Sequence, residues 1–196
     1  MITLSSTDTH SASSATLRKT ALNARRLLSA DARDAASLMI AQRVIHSREF
    51  TAAKTIACYL PMRDEVDPSR IIDRAWRANK RVFSPVVDRH GNMVFRQLQP
   101  DTTLERNHYG LWEPTSGTSI AIRTLDVVIT PLVAFDHELN RIGMGGGYFD
   151  RCFAFLRHRQ FWLKPKLVGL AFDCQKVDKI VPNPWDIRLY GIFSEA

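Results

Sequence analysis

An α/β fold with a mostly parallel sheet flanked by helices follows from two features of the sequence. The first is a strand-like, helix-like, strand-like succession: Thr55-Ile56-Ala57-Cys58-Tyr59-Leu60, an amphipathic stretch from Pro68, then Arg81-Val82-Phe83-Ser84-Pro85-Val86-Val87. Two strands joined through a helix lie parallel in one sheet, because a crossover of that kind returns the chain to the same end. The second is that the apolar runs are short, continuous and closed by proline or a charged loop, the pattern of strands covered on both faces.

Leu17, Ala21, Leu22 and Leu28, interleaved with Arg18, Arg25 and Arg26, predict a first amphipathic helix. Ser29 is placed to cap a second, in which Ala35, Leu38, Met39 and Ile45 form the apolar face up to His46-Ser47. Residues 1–16 are rich in Ser, Thr and Ala and lack the basic start and apolar block of a secretory signal, so they read as a disordered leader to a single domain, residues 17–196. Pro61 stops the first strand, the charged loop Arg63-Asp64-Glu65-Val66-Asp67 follows, and Asp67 caps a helix that begins at Pro68 and buries Ile71, Ile72, Ala75 and Trp76. After the strand at 81–87, the turn Asp88-Arg89-His90-Gly91-Asn92 sends residues 93–98 back as a more exposed antiparallel strand. Residues 125–130 form a buried strand stopped by Pro131. Tyr148, Cys152, Phe155 and Leu156 mark a helix, and residues 166–172 return to the sheet.

The 196 residues, 45% hydrophobic and 24% charged, suit one ordinary domain and exclude wholesale disorder, collagen-like sequence and coiled coil. No run approaches the roughly 18 apolar residues of a membrane-spanning helix. Cys58, Cys152 and Cys174 share no C-x-x-C spacing and lie among apolar residues, which predicts buried thiols in a reducing compartment and neither a disulfide framework nor a zinc site. A formal net charge of +7 points to polyanionic partners: nucleic acid, nucleotide phosphates or a poly-carboxylate substrate.

In an open α/β sheet, ligands bind beyond the carboxyl ends of the parallel strands. Glu65, Thr130-Pro131 and Asp173 all follow such ends. The strongest local signal is Arg141-Ile142-Gly143-Met144-Gly145-Gly146-Gly147-Tyr148-Phe149-Asp150-Arg151. Four glycines in five residues let the backbone approach a ligand closely, and the following helix turns its unpaired N–H groups toward the loop, which makes a phosphate cradle or else a tight structural turn. No GKS or GKT follows, the dinucleotide spacing is absent, and no strand is expected to lead directly into the loop. Asp150 is either a helix-start carboxylate or a ligand to Mg²⁺, which takes only one or two protein carboxylates when it accompanies a nucleotide. Asp186, in the proline-braced loop Val181-Pro182-Asn183-Pro184-Trp185-Asp186, is a second candidate, or a turn-former. Glu65 is a solvated loop acid unless the cleft claims it. Tyr109 and Trp112 either pack on the core or stack on a flat ligand. The six histidines are scattered, with no metal-ligand or triad spacing.

Six segments occur in the order seen in the 5-formyltetrahydrofolate cyclo-ligase family: Tyr59-Leu60-Pro61 with Glu65-Val66-Asp67, Gly110-Leu111-Trp112-Glu113-Pro114, residues 128–136, residues 143–151, Gly169-Leu170-Ala171-Phe172 and Asn183-Pro184-Trp185-Asp186. From about residue 17 to its end the chain resembles that family. The resemblance implies a single α/β domain with a Rossmann-like three-layer core, and an enzyme that uses ATP and Mg²⁺ to close 5-formyltetrahydrofolate into 5,10-methenyltetrahydrofolate, releasing ADP and phosphate. It implies ATP contacts from Arg18, Arg141, Gly143, Gly145, Gly146, Gly147 and Arg151, folate contacts from Leu60, Glu65, Tyr109, Met144 and Tyr148, and Mg²⁺ at Asp150 and Asp186. Partners would be 5-formyltetrahydrofolate and its polyglutamates, with no nucleic acid or membrane, and the chain would act as a cytoplasmic monomer. It departs from many relatives at Ser14, Met144, Gly146, Phe149 and Tyr190, and Arg141 and Arg151 would supply the charge that others carry at Ser14 or inside the glycine loop. The rival readings are a basic nucleic-acid-binding protein, with strongly salt-dependent affinity, an ATP-binding enzyme for another substrate on the same fold, or a regulatory relative without catalysis.

Overall fold

A computed structural model describes residues 13–157 and 164–196. Seven strands, β1 (Thr55–Cys58), β2 (Arg81–Val87), β3 (Met93–Gln97), β6 (Ser119–Ile120), β7 (Val127–Pro131), β10 (Lys166–Leu170) and β11 (Gly191–Phe193), pair in the order β11-β10-β7-β1-β2-β3-β6. From β11 to β2 all pairs are parallel, and β3 and β6 close one edge antiparallel. Successive strand residues face opposite sides of the sheet. Ile56, Cys58, Val127, Ile129, Val168 and Leu170 therefore pack on one side, and Ala57, Val128 and Leu167 on the other.

The first side is covered by α2 (Ala30–His46), α3 (Arg48–Ala52) and α4 (Ser69–Arg77). The second is covered by α5 (Tyr148–Cys152), a 3-10 turn at Ala154–Leu156, and Ile187 and Leu189 of the C-terminal segment. These are the three layers expected. Helix α1 (Ser14–Leu27) packs instead on a small hairpin, β8 (Ala134–Phe135) with β9 (Arg141–Ile142), burying Ala21 against Val133, Ala134 and Ile142. A second hairpin, β4 (Leu104–Arg106) with β5 (Trp112–Pro114), stands beside β2 and carries Tyr109 at its tip.

Three local expectations change. Helix α1 begins at Ser14, capped by the Ser13 hydroxyl, three residues before the expected boundary, and residues 1–12 of the expected leader lie outside the described residues. On α2 the buried face is Ala36, Ser37, Ile40, Ala41 and Val44, with Leu38 and Met39 exposed. The buried face follows the i, i+4, i+8 line through Ala36, Ile40 and Val44, with Ser37 and Ala41 beside it. Cys174 is exposed and Cys152 half-buried, so of the three free cysteines Cys58 alone is fully buried. Two helix starts stand where the sequence places them. Ser29 caps α2 through Ala32 N–H, and the Asp67 carboxylate accepts from Ser69 N–H at 2.9 Å at the start of α4.

Candidate active site

The strand order reverses beside β1: the chain moves from β1 to β2 on one side, and later to β7 and β10 on the other. A crevice at the carboxyl ends of the strands opens where such an order reverses. A cleft of about 700 Å³ lies there, lined from the carboxyl ends of β1, β2 and β7, whereas Asp173, after β10, stays outside it. Tyr59, Leu60 and Glu65 come from the loop after β1, Pro131 and Leu132 from the end of β7, and Val87 from the end of β2.

The glycine loop forms one wall. Strand β9 does lead directly into it, although its two residues were too few to leave a period in the sequence. Gly145 and Gly147 adopt φ of +106° and +64°, left-handed values that favour glycine, and a Cβ at Gly146 would stand 2.9 Å from the Tyr148 ring. Three arginines grip this loop. Arg18 on α1 donates through Nε to Gly143 O at 2.9 Å, Arg151 through Nη1 to Gly146 O at 2.8 Å, and Arg141 through Nη2 to Asp150 Oδ1 at 2.8 Å. Among the described residues, the backbone N–H groups from Gly143 to Gly147 have no acceptor. Arg141 Nε is buried without a partner. Unpaired donors beside three guanidinium groups form a site fitted to an anion with several oxygens, such as a polyphosphate.

Asp150 and Asp186 meet at the same wall. Ile187 N–H donates to Asp150 Oδ1 at 3.1 Å, which ties the segment after Asp186 to the start of α5. Asp186 Oδ2 accepts from Asn183 N and Nδ2 at 2.8 and 3.2 Å, so the turn-forming reading also holds. Among the described residues, no hydrogen bond falls on Asp150 Oδ2 or Asp186 Oδ1. Two hard carboxylate oxygens beside a phosphate cradle suit Mg²⁺, which needs few protein ligands. They do not amount to an all-protein metal cage, since no cluster of three or more acidic, histidine or cysteine ligands occurs among the described residues.

Large exposed side chains also line the cleft. Tyr109 and Trp185 are 55% and 58% exposed, and Trp112 and Met144 are exposed with them, so none of these large side chains serves the core. The Tyr109 and Tyr148 hydroxyls hydrogen-bond at 2.8 Å, joining the β4–β5 hairpin to the glycine loop. Glu65 faces this space. Burial raises its pKa above the usual carboxylate value, against the Met62 N–H and the positive charge of Arg25, which lower it. A half-buried acid with a raised pKa, placed in a cleft, is not a solvated loop acid.

All fourteen residues expected from the sequence, Arg18, Leu60, Glu65, Tyr109, Arg141, Gly143, Met144, Gly145, Gly146, Gly147, Tyr148, Asp150, Arg151 and Asp186, line this single cleft. The sequence reading missed Tyr59, Glu113, Arg157 and Trp185 as cleft residues. Trp185 carried a signal, a large aromatic in a proline-braced loop, whereas Arg157 follows a helix end with nothing to distinguish it. Among the described residues, no histidine or cysteine lines the cleft, and burial pushes the Cys152 thiol up to about 12.

The family model for 5-formyltetrahydrofolate cyclo-ligases matches residues 10–195. The Escherichia coli K12 5-formyltetrahydrofolate cyclo-ligase is 36% identical over 176 residues, covering 88% of this chain and 94% of its own. The Haemophilus influenzae enzyme of the same name is 35% identical over 158 residues, 78% of this chain and 82% of its own. Among solved structures, the Aquifex aeolicus 5,10-methenyltetrahydrofolate synthetase superposes with a TM-score of 0.79 at 28% identity, covering 93% of this chain and 89% of that one. The Mycoplasma pneumoniae synthetase shares the fold at 24% identity, with a TM-score of 0.73 over 93% of this chain and 99% of that one. A match that spans nearly the whole chain, with the glycine loop and its two aspartates inside it, means that this protein belongs to the 5-formyltetrahydrofolate cyclo-ligase family.

Proposed function

We propose that the chain catalyses the ATP- and Mg²⁺-dependent closure of 5-formyltetrahydrofolate to 5,10-methenyltetrahydrofolate, releasing ADP and phosphate. The observation that carries this is the joining, in one cleft, of an unpaired-donor loop with three arginines to exposed aromatics and the half-buried Glu65. The first suits a polyphosphate and the second a flat, hydrogen-bonding ring. No nucleophilic side chain is needed, because the reaction removes a formyl oxygen that is itself the nucleophile.

The formyl oxygen takes up the γ-phosphoryl group, its new O–P bond forming as the bond to the departing ADP oxygen breaks. The neighbouring folate amine then adds to the formyl carbon and loses its proton. The C–O bond breaks with release of phosphate, and the methenyl bridge remains. The chain has three tasks in this sequence. Arg18, Arg141 and Arg151, with the N–H groups of residues 143–147, hold the phosphates and neutralise charge where it develops. Tyr109, Tyr148, Met144 and Leu60 stack the folate so that its formyl oxygen meets the phosphoryl group in line. Glu65 accepts hydrogen bonds from the pterin and orients its reacting side. Asp150 and Asp186 would hold Mg²⁺, which supplies further neutralisation of the phosphates when bound.

Basic residues at the cleft suit the glutamate carboxylates of folate, and the polyglutamate forms are proposed as substrates for the same reason. A monomer is proposed, because the cleft is complete within one chain. Among the described residues, no helix is long and apolar enough to cross a membrane, and we place the activity in the cytoplasm. Release of ADP, measured with and without 5-formyltetrahydrofolate, tests the coupling. Equimolar ADP and methenyl product is expected, and ADP release at the same rate without folate would overturn the proposal in favour of another acceptor.

A further inference from the structure

The Val66–Asp67 peptide, one residue beyond Glu65, is held at both of its polar ends by side chains from two separate segments. Its carbonyl, on Val66, accepts a hydrogen bond from the Tyr59 hydroxyl at 2.6 Å. Its N–H, on Asp67, donates to Ser37 Oγ on α2 at 3.1 Å. Tyr59, Val66 and Ser37 are all buried. Tyr59 lines the cleft with its ring, whereas Ser37 lies outside it. On the other side of Glu65, the loop closes on itself: Glu65 N–H donates to Met62 O at 3.1 Å, and Met62 N–H donates to Glu65 Oε2 at 3.0 Å.

A buried hydroxyl carries a desolvation cost that phenylalanine at 59 or alanine at 37 would avoid while filling almost the same space. Both hydroxyls act on one peptide plane, and fixing the carbonyl and the N–H together sets its rotation. That plane lies one residue beyond Glu65, so fixing it anchors the C-terminal side of the short loop that carries the Glu65 carboxylate. We propose that Tyr59 and Ser37 are positioning residues for the reaction, clamping the Val66–Asp67 peptide so that the Glu65 carboxylate is aimed at the folate. The inference rests on the reading of Glu65 as a folate contact.

The test compares KM for 5-formyltetrahydrofolate and KM for ATP in the full-length wild type, Glu65→Gln, Tyr59→Phe, Ser37→Ala and Ser37→Thr, with Tm as the folding control. Tyr59→Phe and Ser37→Ala are each expected to raise the folate KM about five- to tenfold, the equivalent of one lost hydrogen bond. ATP KM stays unchanged in both, and Ser37→Thr, which restores the acceptor, returns the folate KM toward wild type. A merely structural role would lower Tm and the active fraction while leaving both KM values in place. Since the two clamp residues belong to different elements, a folding failure in one variant leaves the other to decide. If Glu65→Gln raises the folate KM and neither clamp variant does, or if both clamp variants raise ATP KM by the same factor, the positioning inference is overturned. If Glu65→Gln itself leaves the folate KM unchanged, the folate role of Glu65 fails, and the clamp falls with it.

Discussion

Glu65 was an unremarkable acid in a charged loop until the fold brought that loop to the cleft floor, where burial raises its pKa. On the proposed role, the carboxylate serves the folate in its ionised form, so its contribution is complete above the raised pKa and is lost as pH falls through it. That loss begins at a higher pH than for a solvated glutamate, whose pKa is about 4.3. The folate KM of the wild type is expected to rise toward acid in a range where that of Glu65→Gln stays flat, and parallel pH profiles for the two would remove this role. The glycine loop gives a second residue-scale prediction. Gly147 sits at φ +64° with its absent Cβ only 3.0 Å from Arg151 Nη1, whereas Gly91 sits at φ +77° with nothing within 4 Å. Alanine at either position is expected to cost roughly 1–2 kcal/mol from the left-handed conformation. Only Gly147→Ala should also raise ATP KM, since it alone displaces an arginine of the loop.

The elements differ in how plainly the sequence announced them. Strands β1, β2, β7 and β10 are continuous apolar runs buried on both faces, a signal that survives without neighbours. Strands β8, β9 and β11 are two or three residues long, too short for any period, and exist because tertiary pairing holds them. The chosen face of α2 failed for another reason: apolar residues lie on two adjacent stripes, and the sheet buries the one with Ala36, Ile40 and Val44 while Leu38 and Met39 stay exposed. One inter-element tie was invisible in the sequence. Asp126, just before β7, accepts from the N–H groups of Lys54 and Thr55 at 2.8 and 2.9 Å and pairs with Lys164, pinning β1 to β7 at the edge away from the cleft. Burial works against its ionisation, but these bonds outweigh it and bring its pKa down to about 2. A depressed carboxylate stabilises the fold fully above the unfolded value near 3.9, and that share, on the order of 2 kcal/mol, is lost as pH falls toward the folded one. Urea unfolding at neutral pH and near pH 2.5 should show this loss in the wild type, and Asp126→Asn should lack most of it.

Across the whole molecule, the cleft owes its position to strand order and its chemistry to loops that are distant in sequence. Arg18 from the first helix, Glu65 from the loop after β1, the glycine run and Asp186 near the carboxyl end converge because α1 packs on the β8–β9 hairpin and the C-terminal segment packs beneath α5. The glycine run and the carboxyl-end rule made the loop at residues 141–151 and Glu65 legible, whereas Arg18, Leu60 and Tyr148 entered as site residues only through the family resemblance. Which acid meets which arginine was not legible, since the Arg141–Asp150 and Arg18–Gly143 contacts depend on side-chain directions no spacing encodes. The central claim, an ATP-driven folate ring closure at this cleft, is tested most directly by mixing the protein with 5-formyltetrahydrofolate, ATP and Mg²⁺ and following the near-ultraviolet absorbance of the methenyl product, beside Asp150→Ala. The account predicts product that requires ATP and falls at least about a hundredfold in the variant, as loss of a group that stabilises the transferring phosphoryl would dictate. No product from folded protein that binds Mg·ATP would contradict the reaction, and an undiminished rate in Asp150→Ala would contradict the role of the aspartate.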